Sequence, residues 1–190
     1  FNSGKIKFTP ALPLEKYEAY NATPCGIYNH ITLQLKDEFY KEYKVKPDVY
    51  FNTKIKSKGL ETPEGYCATM KLHNSNISYF DVGGQFAKDL EKDGSKAGID
   101  FVLQDLRNTF GSDFDKFFIK GHMTSWGKNP FTMGSWSSAN PGKAKLRRNI
   151  KTPVGNRLFF AGEATAKNYA TVHGADRSGA RVAKEVLKHV

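Results

Sequence analysis

Residues 27–35 limit the fold more than any other stretch of the chain. Ile27, Ile31, Leu33 and Leu35 fall on one side of an extended backbone, and Tyr28, His30, Thr32 and Gln34 on the other, because successive side chains of a strand point to opposite faces. Such a strand packs one face on a core and offers its polar face to something else. Residues 49–55, 65–72 and 77–82 are further strands, rich in aromatic or β-branched residues and separated by turn chemistry such as Thr62-Pro63-Glu64-Gly65. Gly83-Gly84 ends the last of them. Two helices follow, over about 85–92 and 96–110, the second with Ile99, Val102, Leu103, Leu106 and Phe110 at helical spacing. Residues 117–126 read as a strand again.

The flanking regions read differently. Residues 6–8 form a short strand, Pro10 to Pro13 a turn, and 14–20 a helix whose start tolerates proline because the missing N–H would be unpaired there. Residues 127–156 are rich in Gly, Pro, Ser and Asn and read mostly as loop. A short buried strand is expected at 157–161. A final helix starts near Thr171 with Val172, Ala175, Gly179, Val182, Val186 and Val190 on one side. The class is α+β: a mixed sheet flanked by helices, followed by a strand–loop–helix piece.

Composition removes several function classes. Of the 190 residues 39% are hydrophobic and 13% aromatic, which places the chain among folded globular proteins and away from disordered ones. No apolar run approaches the roughly 18 to 20 residues that span a bilayer, so no membrane partner is expected. The net charge of +10 comes from lysines scattered along the chain; only KAKLRR, 143–148, is dense. That is a solvated basic surface, and without zinc-finger spacing or an RNA-recognition signature no nucleic-acid partner is expected. Cys25 and Cys67 are too few for a disulfide framework. His73, His122 and His189 lack partners at metal-ligand spacing, so no metal is expected. The chain opens at Phe1 without a Met and runs straight into an extended segment, as if cut from something longer.

Chemistry concentrates in 157–190. A buried Leu158-Phe159-Phe160 would deliver Gly162-Glu163 to its C-terminal end, and after a loop a helix begins beside Gly174-Ala175. This suits a dinucleotide, since glycine lets the backbone approach closely and a helix N-terminus offers N–H groups and a positive dipole end. An ordinary strand–helix unit with small residues for tight packing reads equally well from these residues alone. Two phosphate motifs are excluded. Gly174 and Gly179 have P-loop spacing, but Ala180-Arg181 stands where Lys-Ser/Thr is required, and no GxGxxG follows a strand.

FFAGEAT (159–165) with NYATVHGADRSG (168–179) resembles the C-terminal signature of the flavin-containing amine oxidases, most closely the branch of polyamine oxidases and lysine-specific histone demethylases. WGKNPFTMGSWS (126–137) is similar to a second element of that family, and SGKIKFTPALPLEKYEAY (3–20), more weakly, to its entry into the substrate domain. The resemblance implies an α+β substrate-binding domain at 1–150 and, at 151–190, the C-terminal segment of a Rossmann-like FAD-binding domain whose GxGxxG part is absent. It implies FAD as cofactor of the intact protein, with the N-terminal FAD-binding part of that protein as partner. Gly162 and Glu163 would sit near the ribityl–pyrophosphate, and the backbone of Thr171 and Val172 at the flavin N1/C2 carbonyl edge. Trp126, Phe131 and Ser135 would line the flavin. Trp136, where the family usually has Tyr, and Thr171 would form the walls that flank a substrate amine.

His30 stands where the family places a lysine that is linked through water to flavin N5. This departure carries over a role to a residue whose charge depends on pH near neutrality. The implied activity is oxidation of a C–N bond in a small amine or amino acid, by hydride transfer to flavin, imine hydrolysis and release of hydrogen peroxide, with the fragment alone inactive. His30, Trp136 and the missing dinucleotide cradle motivate an alternative: a degenerate, non-catalytic binding module of the same fold.

Overall fold

The computed structural model describes residues 4–53, 58–59 and 63–189. Packing divides the chain into two units, one of Phe1–Gly26 with Trp136–Val190 and one of Ile27–Ser135. The first helix, α1 (Leu14–Asn21), belongs to the former and follows Pro13, whose carbonyl accepts from Lys16 N at 3.0 Å.

From Ile27 the chain builds a five-stranded sheet. Its strands are β1 (Tyr28–Leu35), β2 (Val49–Asn52), β3 (Cys67–Met70), β4 (Ile77–Gly83) and β5 (Phe118–Met123), in the spatial order β2-β3-β4-β1-β5. Each of the four pairings is antiparallel, with Ile31 opposite both Phe80 and Met123 and His30 opposite Asp81. Along β1 burial alternates residue by residue, as the sequence pattern requires. Ile55 and Thr62 of the expected second strand and turn lie outside the described residues.

One sheet face is covered by α3 (Gly84–Asp93) and α4 (Ser95–Phe110). Ile31, Leu33, Ala68, Phe80 and Val82 pack there with Phe86, Leu90, Val102 and Leu106. Gly98 lets α4 lie close: a Cβ there would collide with Met123 Sδ. A short helix absent from the sequence reading, α2 (Asp37–Glu42), delivers Phe39 into a nest of aromatic edges, 5.1 to 5.3 Å from Tyr40, Phe110 and Phe114. Edge-to-face pairs of this kind add about 0.5–1.5 kcal/mol each to area burial. The opposite sheet face, with Tyr28, His30, Thr32, Tyr79 and Asp81, is only half-buried.

The other unit packs α1 against α5 (Arg147–Lys151), around Leu12, Ala19, Tyr20, Ile150 and Phe160. Part of 127–156, expected as loop, is thus helical, because Leu146 and Ile150 supply an apolar side to the otherwise basic run. Two expected strands are corrected. Residues 6–8 are irregular, and 157–161 makes only one bridge, Val154 with Leu158. Phe160 is buried as expected, but an apolar run becomes a strand only beside a ladder partner, and the described residues supply none.

The last helix, α6 (Val172–Val186), starts where expected, with Thr171 as its N-cap. Its buried side is not the apolar stripe. Gly174 and Ser178 are buried, while Val172 is 89% exposed, because small residues permit the close approach to the 3₁₀ turn at Glu163–Thr165. Val190 lies outside the described residues. Among the described residues no helix is long and apolar enough to cross a membrane.

Candidate functional site

In the sheet unit, the open face centres on His30. Its Nδ1 meets Asp81 Oδ1 across the β1–β4 pair, with the histidine side chain 45% exposed and the aspartate 11%. The rings of Tyr28 and Tyr79 stand edge-on to the imidazole at 5.7 and 5.6 Å. Hydrogen bonding to Asp81 raises the His30 pKa above its usual 6.5, against a smaller downward push from burial. Burial, and then the charge and hydrogen bond of Asp81, push the Tyr28 phenol up as well. His30 shares a shallow hollow of about 340 Å³ with Thr32, Leu72, Ile77, Tyr79 and Thr124.

The loop after β5 is pinned to the start of β1 residue by residue. His30 N donates to Thr124 Oγ1 at 2.9 Å, Trp126 N to Asn29 Oδ1 at 3.2 Å, and Tyr28 N to Ser135 Oγ at 3.0 Å. Buried Glu91 fixes the next turn by accepting from Gly127 N at 2.8 Å. The structure therefore brings His30, Trp126 and Ser135 to one end of β1. Phe131, 94% exposed, projects from the loop between them.

In the other unit, the Glu163 carboxylate binds the residue after Trp136 and the residue before Thr171. Glu163 Oε2 accepts from Ser137 N at 3.1 Å; Oε1 accepts from Ser137 Oγ at 2.6 Å and from Ala170 N at 2.8 Å. The residues adjoining Trp136 and Thr171 are thereby held by the same side chain. Arg147 completes the arrangement: its guanidinium donates to Ser137 Oγ, to Ser137 O and to Ala164 O, and lies 4.1 Å over the Tyr169 ring. Trp136 itself is half-exposed, with its carbonyl accepting from Gly26 N at 2.7 Å.

Gly162 adopts φ +111°, a conformation that favours glycine, and its N–H and carbonyl are both engaged by Ser178 Oγ. Gly162 and Glu163 thus spend their hydrogen-bonding groups within the unit. The first turn of α6 is different. Thr171 Oγ1 caps Gly174 N at 3.1 Å and donates to Asn168 O at 2.7 Å. The N–H groups of Val172 and His173 have no acceptor among the described residues. Two open donors at the positive end of a 15-residue helix fit a carbonyl or anionic edge of a cofactor. That donor set is what a flavin's N1/C2 edge would require.

The sequence assigns no role to Asp81, Asn29 or Glu91, nor individually to Ser137, Arg147 and Ser178, which lie within the runs 126–137, 143–148 and 168–179. Asp81 was findable, as the acid on the polar side of the β4 alternation. The others act on backbone brought near by tertiary folding, which spacing does not reveal.

Residues 2–187 match the family model for flavin containing amine oxidoreductase. Polyamine oxidase 2 of Arabidopsis thaliana is 33% identical over 99% of this chain, which covers 37% of that protein. Lysine-specific histone demethylase 1 homolog 1 of Oryza sativa subsp. japonica is 29% identical over 97% of the chain and 22% of that protein. The chain therefore spans little more than a third of the polyamine oxidases it matches and less than a quarter of this demethylase homolog. Among solved structures, a putrescine oxidase redesigned in cofactor binding superimposes with TM-score 0.70 at 18% identity, over 98% of this chain and 40% of that one. A cyclohexylamine oxidase from Brevibacterium oxydans gives 0.68 at the same identity, again over 98% and 40%. At that identity the two structures establish a shared fold. The chain belongs to the flavin-containing amine oxidoreductase family.

Proposed function

We propose that this chain is the C-terminal part of an FAD-dependent enzyme that oxidises the C–N bond of a small amine or amino acid. Residues 1–150 serve as its substrate-binding domain, and 151–190 complete an FAD-binding domain whose remainder lies in the N-terminal part of the same protein. The observation that carries this reading is the grip of Glu163 on Ser137 and Ala170, which fixes the backbone next to Trp136 and Thr171.

FAD, when bound, supplies the hydride acceptor and passes electrons to oxygen, so the products are an imine that water hydrolyses and hydrogen peroxide. Everything else falls to the chain. The open N–H groups at the start of α6, next to Thr171 and including Val172, stabilise negative charge at the flavin's N1/C2 edge. Trp126, Phe131 and Ser135 line the flavin. Gly162 and Glu163 shape the backbone beside the ribityl–pyrophosphate, because their own polar groups are turned inward. Trp136 and Thr171 wall the amine, orient its α-C–H and exclude water. His30 occupies the place of the family's lysine. The test is the visible spectrum of a full-length protein containing this chain, followed by anaerobic addition of amines. A flavin absorption that bleaches with an amine is expected; a colourless protein that takes up no FAD refutes the reading.

A second reading has its own observation. His30 bound to Asp81 differs in charge and reach from a lysine, which fits a binding module of the same fold that retains no turnover. Turnover with any common amine eliminates it.

A further inference from the structure

Amines carry a proton in water, and a protonated nitrogen has no lone pair to assist departure of hydride from the neighbouring carbon. The proton must go somewhere first. On the open sheet face, Asp81 occupies Nδ1 of His30 and fixes the imidazole's orientation. Nε2 has no partner among the described residues, and the ring borders the hollow shared with Thr32, Tyr79 and Thr124. Tyr28 and Tyr79 enclose the ring edge-on from both sides. This is the arrangement of a base backed by a carboxylate: one nitrogen oriented, the other presented.

We infer that His30 accepts the proton of the substrate's ammonium group at Nε2, with Asp81 as the residue that positions it. The step is a proton transfer without redox change. An N–H bond of the ammonium breaks, an Nε2–H bond forms, and neutral imidazole plus ammonium become imidazolium plus free amine. The positive charge then resides beside Asp81. The inference rests on the amine-oxidation reading above, and it adds a residue, Asp81, to which neither the sequence motifs nor the comparisons point.

The surroundings of His30 contain few competing charges. On β1 it faces Tyr28 and Thr32, and on β4 Tyr79 and Asp81. Cys67 of β3 lies opposite Asp81, with Tyr50 of β2 close enough to interact with both. On β5, His122 is opposite Thr32 and Lys120 opposite Gln34, farther along the same face. Asp81 is therefore the carboxylate of this group. Its hydrogen bond is the main cause of the raised histidine pKa, which brings the base closer to the ammonium it must deprotonate.

The test uses the full-length flavoprotein and two measurements. NMR of labelled histidines, with His30 assigned by its loss in His30→Gln, reports the imidazole pKa. It should lie above the ordinary value of about 6.5 and fall in Asp81→Asn. Rapid anaerobic reduction of the flavin by saturating amine reports the chemistry. The rate should fall on the acid side with the His30 pKa, and that limb should move to lower pH in Asp81→Asn by the same amount. Asp81→Glu should restore it. His30→Gln should remove the limb and slow reduction about 100-fold, with partial rescue by added imidazole. An acid limb that ignores Asp81→Asn while the NMR pKa moves overturns the inference alone. A bound flavin that no amine reduces at any pH overturns the amine-oxidation reading, and this inference falls with it.

Discussion

Glu163 holds Ser137 at both ends, its Oε2 on the backbone N–H and its Oε1 on the hydroxyl. The same Oε1 reaches Ala170 N, so one side chain ties the loop carrying Trp136 to the entry of α6. Ser137 is 3% exposed, so its donors have little access to water if the carboxylate is removed. Leaving a buried donor unpaired costs about 1–3 kcal/mol. Glu163→Ala should therefore lower the stability of the purified chain by about 2 kcal/mol, read as a lower denaturant midpoint. Arg147 also bonds Ser137, so Glu163→Ala and Arg147→Ala should be non-additive in a double-mutant cycle. Additive effects would show that the two side chains act on separate parts of the loop.

Lys16 is 3% exposed, donates to Ile150 O at 2.7 Å and lies 3.7 Å over the Phe160 ring, with its pKa lowered by burial from 10.5 to about 8. The unfolded chain keeps that proton to higher pH than the folded chain does. Between about 8 and 10.5 the unfolded state binds more protons, so stability rises with pH there. Tyr20 acts in the opposite direction: its pKa is pushed up from 10.0 to about 12, so stability falls as pH climbs above 10. Lys16 and Tyr20 together should therefore favour the folded chain most near pH 10, with the Lys16 contribution at most about 3 kcal/mol. Denaturation of wild type and Lys16→Met across pH 7 to 11 checks this; the variant should lack the rise and keep the fall.

His30 gives the complementary pH dependence in the sheet unit. A raised folded pKa means its pairing with Asp81 stabilises fully below the unfolded value of 6.5 and is lost as pH rises through the folded value. Between pH 6 and pH 9 wild type should lose more stability, or gain less, than His30→Gln does. Equal changes would mean that the pair contributes nothing measurable to folding.

These sites differ in how far the sequence reveals them. Strand β1 is legible because a two-residue period has a single explanation, and α4 because its apolar residues recur every three or four positions. Helix α2 is too short for periodicity to speak, and its anchor Phe39 is identified by Phe110 and Phe114, aromatic residues far along the chain that help enclose it. The run 158–160 is apolar enough for a strand, yet sheet formation depends on a partner, not on the run itself. The stripe of α6 misleads for the opposite reason: its valines are real, but Gly174 and Ser178 make the contact. Polar site residues divide the same way. His30 stands out within an alternating strand, whereas Ser137, Arg147 and Glu91 become functional only through the backbone groups that the fold brings to them.

The first turn of α6 also limits what this chain can do by itself. A helix dipole acting on an anionic group contributes about 0.3–1 kcal/mol, up to about 2 when partly buried. Binding at 1 μM requires about 8 kcal/mol. A helix end alone falls well short of that, so residues 1–190 by themselves should not bind FAD at submicromolar concentration. Titration calorimetry with FAD decides the matter, and a submicromolar Kd would place the principal cofactor contacts within this chain.

Two glycines of the last helix make a sharper pair of tests, because they differ only in what surrounds them. A Cβ on Gly174 would stand 1.9 Å from Asn168 O, a backbone atom that cannot swing aside. Relief would require opening the turn at 168–171 that Thr171 Oγ1 closes on Asn168 O. Gly174→Ala should destabilise the purified chain by about 2 kcal/mol or more, the range for overpacking without room to relax. Gly179 lies five residues on in the same helix with nothing within 4 Å of the same position. There alanine removes backbone freedom from the unfolded chain and meets no obstacle, so Gly179→Ala should stabilise by about 0.5–1 kcal/mol. The two melting temperatures should move in opposite directions. A shared direction would mean that α6 does not enter its turn as tightly as the contact between Gly174 and Asn168 requires, and the open donors of Val172 and His173 would lose their fixed aim with it.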